Sequence, residues 1–236
     1  MACDLFPEEP PTARILDAGT GGSSGSDSGL DASSGGGRGG SAGVAGTGSG
    51  GVAGTGGDVV AEFDIVDGAD DVNEDGPDYQ KSHARVWFGT GDKKNDSYTG
   101  LRFTSVGVPR GAIIRSARLI MHVPIEQASD MSARFAAEAS DDCTPYSADD
   151  PPSARSKTQA YRDLVPTEPW LAETSVSIEG LAPIVAEVVD RSGWQPGAAL
   201  CIEVKGQGEA NARRRVGSYD GDPVNPPRLE IVYSVK

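Results

Sequence analysis

The stretch Asp71-Val72-Asn73-Glu74-Asp75-Gly76 concentrates the residue types best suited to chemistry in this chain. Side-chain oxygens alternate at Asp71, Asn73 and Asp75, and a glycine follows, as in the first half of a calcium-binding loop. Hard cations take several carboxylate and amide oxygens, and the glycine permits the sharp bend. The second half departs from that pattern, because Ser82 stands at the twelfth position, where a bidentate glutamate belongs. Asp67, Asp70 or Glu74 could supply ligands instead. A structural Ca2+ held by Asp71, Asn73 and Asp75 is one expectation. A solvated acidic turn between two strands is the other, and the plainer.

Exposed aromatic rings are a second class of candidate, since a flat ring covers the apolar face of a sugar. Trp87, Tyr98 and Trp170 lead that set, followed by Tyr79, Tyr146, Tyr161 and Tyr219. Trp194, just after a helical segment, is expected to pack in the core, and Trp170 could do so too. Catalytic groupings are not indicated. His83 and His122 are the two histidines, and no spacing places either in a zinc site or a Ser-His-Asp triad. Glycosidic cleavage needs two carboxyls about 5–9.5 Å apart. Acids such as Asp141-Asp142 and Asp149-Asp150 read instead as solvated loops. The run Arg213-Arg214-Arg215 reads as an exposed strand paired with neighbouring acids.

Cys143 and Cys201 lie in the part of the chain rich in apolar residues, and Cys3 lies far ahead of them. A bridge between the first two would stabilise by roughly 2–4 kcal/mol and imply an oxidising compartment. Two buried free thiols are the alternative. The start, MACDLFPEEP, has no charged or apolar leader region. Ala2-Cys3 followed by a polar tether resembles the lipidated cysteine of a bacterial lipoprotein, against the alternative of an incidental cysteine.

Several elements must position these residues. From Gly21 to Gly57 about half the residues are glycine, and GVAGTGSG at Gly43–Gly50 is followed by GVAGTGGD at Gly51–Asp58. Such a segment buries too little apolar surface to offset its ordering entropy, so residues 1–57 are predicted to be a disordered tether. Residues 58–236 form the predicted domain. Ala117, Leu119, Met121 and Val123 alternate with Arg118, Ile120 and His122, the period of a strand with one core face. Leu101 and Phe103 alternate likewise, and Pro109-Arg110-Gly111 is a turn between the two. Further strands are predicted at 62–66, 84–88, 133–139, 174–179, 198–205, 213–219 and 229–234. Leu181, Ile184, Val185, Val188 and Val189 have helical spacing, with Pro183 in the first turn. The expected fold is all-β, a jelly-roll-like β-sandwich with one short helix.

The order of these features resembles secreted bacterial β-sandwich modules of the DNRLRE type, akin to carbohydrate-binding modules and common in myxobacteria. The matching residues are Asp70–Glu74, Gly100-Leu101-Arg102-Phe103, Val108–Ile114, Ala117-Arg118-Leu119, Trp170, Gly193-Trp194, Gly206-Gln207-Gly208, Ser218-Tyr219 and Pro227-Arg228-Leu229. The resemblance implies a non-catalytic module, some of whose relatives bind polysaccharide, and it brings no catalytic residues.

The net charge is −14, which disfavours nucleic acid and anionic membranes as partners. No stretch approaches the ~20 apolar residues of a membrane span. The expected function is an exported binding or display module, extracellular or at the outer cell surface, with polysaccharide the leading ligand. A lipid anchor at Cys3 is part of that expectation. The rivals are a structural envelope or matrix protein working through protein contacts and, last, a polysaccharide-degrading enzyme.

Overall fold

A computed structural model describes residues 57–93 and 97–236. The predicted tether, save Gly57, and the predicted lipidation site Cys3 lie outside the described residues.

Alternation of apolar and polar side chains produces twelve strands among the described residues. They are β1 (Val59–Asp64), β2 (Asp71–Asp75), β3 (Asp78–Gln80), β4 (Arg85–Gly89), β5 (Ser97–Val106), β6 (Ile113–Val123), β7 (Ser132–Ala137), β8 (Arg162–Leu164), β9 (Thr174–Ile178), β10 (Ala198–Gln207), β11 (Arg213–Gly217) and β12 (Arg228–Ser234). One helix, α1 (Ala182–Val189), stands between β9 and β10. A four-stranded sheet runs β1-β12-β6-β9, a six-stranded sheet runs β3-β2-β5-β10-β7-β8, and β11 pairs with β4. Every pairing is antiparallel. This is the all-β, jelly-roll-like sandwich expected, with its single helix.

The inner faces meet in one continuous core. Leu101 and Phe103 of β5, Leu200 and Ile202 of β10 and Phe135 of β7 belong to it, with Leu119 and Met121 of β6 and Leu229 and Ile231 of β12. Phe88 of β4 packs on Phe135 with ring centroids 5.5 Å apart. Ile184, Val185, Val188 and Val189 of α1 are buried, and the Trp194 indole N–H donates to the Val108 carbonyl at 2.9 Å. Burying such aliphatic and aromatic side chains, each by about 1.5–3 kcal/mol, is what holds the layers together.

Strands β5 and β6 follow one another through Pro109-Arg110-Gly111, as the sequence implies, but they are not paired. β5 lies between β2 and β10, and β6 lies between β12 and β9. The turn, closed by Ala112 N–H donating to the Pro109 carbonyl at 3.1 Å, carries the chain from one sheet to the other. Gly111 sits there at φ +71°, where a β-carbon would be strained.

Candidate functional site

The outer face of the six-stranded sheet is where polar chemistry gathers. On β10 the inward residues Leu200, Ile202 and Val204 alternate with the outward Cys201, Glu203 and Lys205. The segment from Ser140 to Ala160 folds back over part of this face. Its anchor is the Cys143–Cys201 disulfide, which joins it to the middle of β10 with the α-carbons 6.1 Å apart. Around the bridge, Val72, Tyr146 and Ala199 form a small second core. Tyr146 lies flat on Gly100 of β5: a β-carbon there would meet the ring at 2.5 Å.

Arg155 is the second anchor. Its side chain is 2% exposed. It donates to Glu138 Oε2 at 2.8 Å, the Thr144 carbonyl at 2.8 Å and the Pro145 carbonyl at 2.9 Å, and stacks over Tyr146 at 4.2 Å. Glu74 of β2 adds a third, accepting the Ser153 N–H at 2.9 Å.

Where the segment leaves the sheet, a pocket of about 350 Å³ opens. Glu203 forms its floor. One wall is Tyr98 of β5, flanked by the ammonium groups of Lys157 and Lys205 at 5.7 and 5.6 Å from the ring centre. Tyr161 also lines the pocket, with Arg134 of β7 stacked on its ring at 3.9 Å. Arg134 is also held bidentate by Asp163 of β8, at 2.7 and 2.8 Å. Glu203 is 2% exposed and ion-paired with Lys157. Burial pushes its carboxyl up to about 7, although Lys157 pulls the other way. Among the described residues Lys205 has no carboxylate within ion-pair distance. Four cationic side chains and one acid therefore line a pocket in a chain of net charge −14.

The residues singled out in the sequence meet different fates. Tyr98 is on the pocket wall. Trp87 and Trp170 are buried, only 6% and 7% exposed, so neither ring is a platform for a sugar; Arg213 and Arg214 stack on them at 5.4 and 5.2 Å. Arg214 is itself buried and donates to the carbonyls of Ser129 and Glu168, correcting the picture of an exposed run paired with acids. Tyr161, Lys157, Glu203 and Lys205 were not placed together by sequence reasoning. Only Lys205 and Glu203, two apart on a predicted strand, carried a signal, the polar alternation in an otherwise apolar run.

Asp71, Asn73 and Asp75 are not a loop. They face inward from β2, and successive inward side chains on a strand stand nearly 7 Å apart. Asn73 Oδ1 accepts the Trp87 N–H at 3.0 Å, and its Nδ2 donates to the Trp87 carbonyl at 3.0 Å. Asp75 accepts from the N–H groups of Asp92 and Lys93 at 2.7 and 3.0 Å and from Ser97 Oγ at 2.8 Å. These oxygens and amides do the work of a missing strand partner, so the trio as predicted does not converge on an ion. Replacing Asn73 with alanine strands the buried N–H of Trp87, whose carbonyl still accepts from Thr99 Oγ1. Urea unfolding is expected to show a loss of about 2–3 kcal/mol.

No protein-family model matches this chain, and no curated protein matches it either.

Proposed function

We propose that this chain is a non-catalytic, exported module that binds polysaccharide in the pocket on the six-stranded sheet, with carboxylate-bearing sugars the preferred class. The observation that carries the reading is the pairing of two pocket tyrosines with Lys205, a lining ammonium that no carboxylate of the described residues neutralises. Rings of this kind pack on the apolar face of a pyranose. An unmatched ammonium beside them supplies the counter-charge for a uronate, and a pocket of about 300–1,000 Å³ is the usual size for a small-molecule site. The Cys143–Cys201 bridge supports an oxidising compartment and hence export. An outer-surface location, with the preceding glycine-rich segment as the tether, belongs to the same proposal.

Titration calorimetry of the full chain with polygalacturonate is expected to give saturable binding that weakens with salt, while a neutral glucan gives none. Lys205→Ala and Tyr98→Ala should each weaken binding by about tenfold, or 1.4 kcal/mol, with unchanged melting temperature. Absence of saturable uronate binding, or binding indifferent to both substitutions, would return the chain to the structural reading, in which contacts with other proteins are the function.

A further inference from the structure

We propose that Asp71, Asp220 and Asp67 form a site for one oxygen-preferring divalent cation, Ca2+, between the turn preceding β2 and the loop following β11. This site shares Asp71 with the trio the sequence suggested and Asp67 with its alternative ligands, and it is independent of the polysaccharide pocket.

Asp71 is the fixed point. It opens β2, faces inward and is 1% exposed. Its Oδ2 accepts the Tyr219 N–H at 2.6 Å. Its Oδ1, also buried, has no hydrogen-bond partner. A buried carboxylate oxygen left without a donor is costly, and native structures rarely keep one unless an unseen ligand answers it.

What surrounds Asp71 makes that ligand a cation. The bond to Tyr219 brings the next residue, Asp220, onto the turn before β2. Its carboxylate rests against Gly68, where a β-carbon would meet Asp220 Oδ2 at 2.1 Å and Cγ at 2.5 Å. Asp67 stands one residue away, with Oδ1 accepting the Ala69 N–H at 2.8 Å. Asp70, the fourth acid, is matched by Arg102 at 3.0 Å. Asp67, Asp71 and Asp220 have no ion-pair partner among the described residues. Burial, followed by the charges of Asp220, Asp70 and Asp67, pushes the Asp71 carboxyl up to about 7. A divalent ion would reverse that balance.

The three carboxylates are not gathered to within 4.8 Å of one another. The one such grouping among the described residues is Glu138, Cys143 and Cys201, whose sulfurs are joined in the disulfide. Asp67 and Asp220 are exposed, so their side chains are free to change rotamer toward the fixed Asp71. Ca2+ tolerates such adjustable geometry and completes its shell of six to eight oxygens with carbonyls and water, whereas Mg2+ demands a rigid octahedron. Calcium sites tuned weak by low ligand charge count and loose geometry bind with Kd of about 10⁻⁴ to 10⁻³ M.

The test uses the full chain, with thermal melts and calorimetry in CaCl2 or in EDTA at matched ionic strength, pH 7.5. At about 100 times Kd, the melting temperature is expected to rise by roughly 5–10 °C. The rise and the one-site binding heat should vanish in Asp220→Asn, weaken in Asp67→Asn and persist in Asp149→Asn, an exposed acid elsewhere. Asp71→Asn should melt at or above wild type in EDTA and no longer respond to calcium. Melts indifferent to calcium, or a rise that survives Asp220→Asn, would overturn the site. If wild type instead gains the same stability on lowering the pH to 6 and none from calcium, a proton holds Asp71 and the proposal fails.

Discussion

Replacing Cys143 and Cys201 together by alanine is expected to remove about 4 kcal/mol of stability. The bridge closes a loop of 58 residues. Loop-closure entropy in the unfolded chain puts the gain from a loop of that length at about 4 kcal/mol. For a domain of this size the melting temperature should fall by roughly 10 °C. The site falls with it. Lys157 and Tyr161 reach the pocket from the covering segment or its exit, and the bridge is that segment's covalent attachment to β10. Arg155 still ties the segment by hydrogen bonds, so the double variant is expected to fold and to bind polyuronate more weakly. Urea unfolding of wild type with reductant should reproduce the double variant. Equal stability with and without reductant would mean that the bond contributes nothing to the fold.

Stability is also expected to fall as pH rises from about 4 to about 7, the reverse of ordinary acid denaturation. Glu203 and Asp71 both have folded-state carboxyls raised to about 7, from ordinary values of 4.5 and 3.8, with burial the first cause for each. Below those ordinary values both states are protonated and there is no penalty. Through the window up to about 7 the folded chain keeps protons that the unfolded chain has released, so the slope of unfolding free energy against pH is negative. Above about 7 the penalty is complete, roughly 3 kcal/mol for Glu203 and roughly 4 kcal/mol for Asp71. Urea melts in EDTA at pH 5, 6 and 7.5 measure it. Glu203→Gln should flatten about half of the slope, because the amide carries no charge to desolvate while Lys157 keeps the carbonyls of Pro152 and Arg155 as acceptors. A stability that climbs steadily from pH 5 to 7.5 would show that neither carboxyl is destabilised by burial.

Much of the fold was legible because period-two alternation is a local property. Ala117 to Val123, Leu101 to Phe103 and the apolar run at 198–205 each carry their strand on their own residues. The helix was legible too, from its spacing and Pro183. The pairing of Cys143 with Cys201, which the sequence left open against two free thiols, is a disulfide in the structure. What misled was β2. Its inward positions are Asp71, Asn73 and Asp75, and an inward row of polar residues reads as a loop. The row is explained only by distant backbone, at Trp87, Asp92 and Tyr219, that those side chains pair with. Trp87 and Trp170 misled for a related reason, since composition says that a ring exists and not that the fold will bury it.

The sequence by itself determined the class, all-β with one helix, and nine of the twelve strands among the described residues, but not β2, β3 or β8. These follow from side-chain periodicity, charge and composition, which act over a few residues or over the whole chain at once. Tertiary structure decided which strands are neighbours, which aromatics stay open and which acids meet. Tyr98, Lys157, Tyr161 and Glu203 share a pocket, and Asp71 faces Asp220, because antiparallel pairing across two sheets brings together residues about 40 to 150 positions apart. No local pattern encodes such a meeting; it is set by how the buried faces of all twelve strands close on one core.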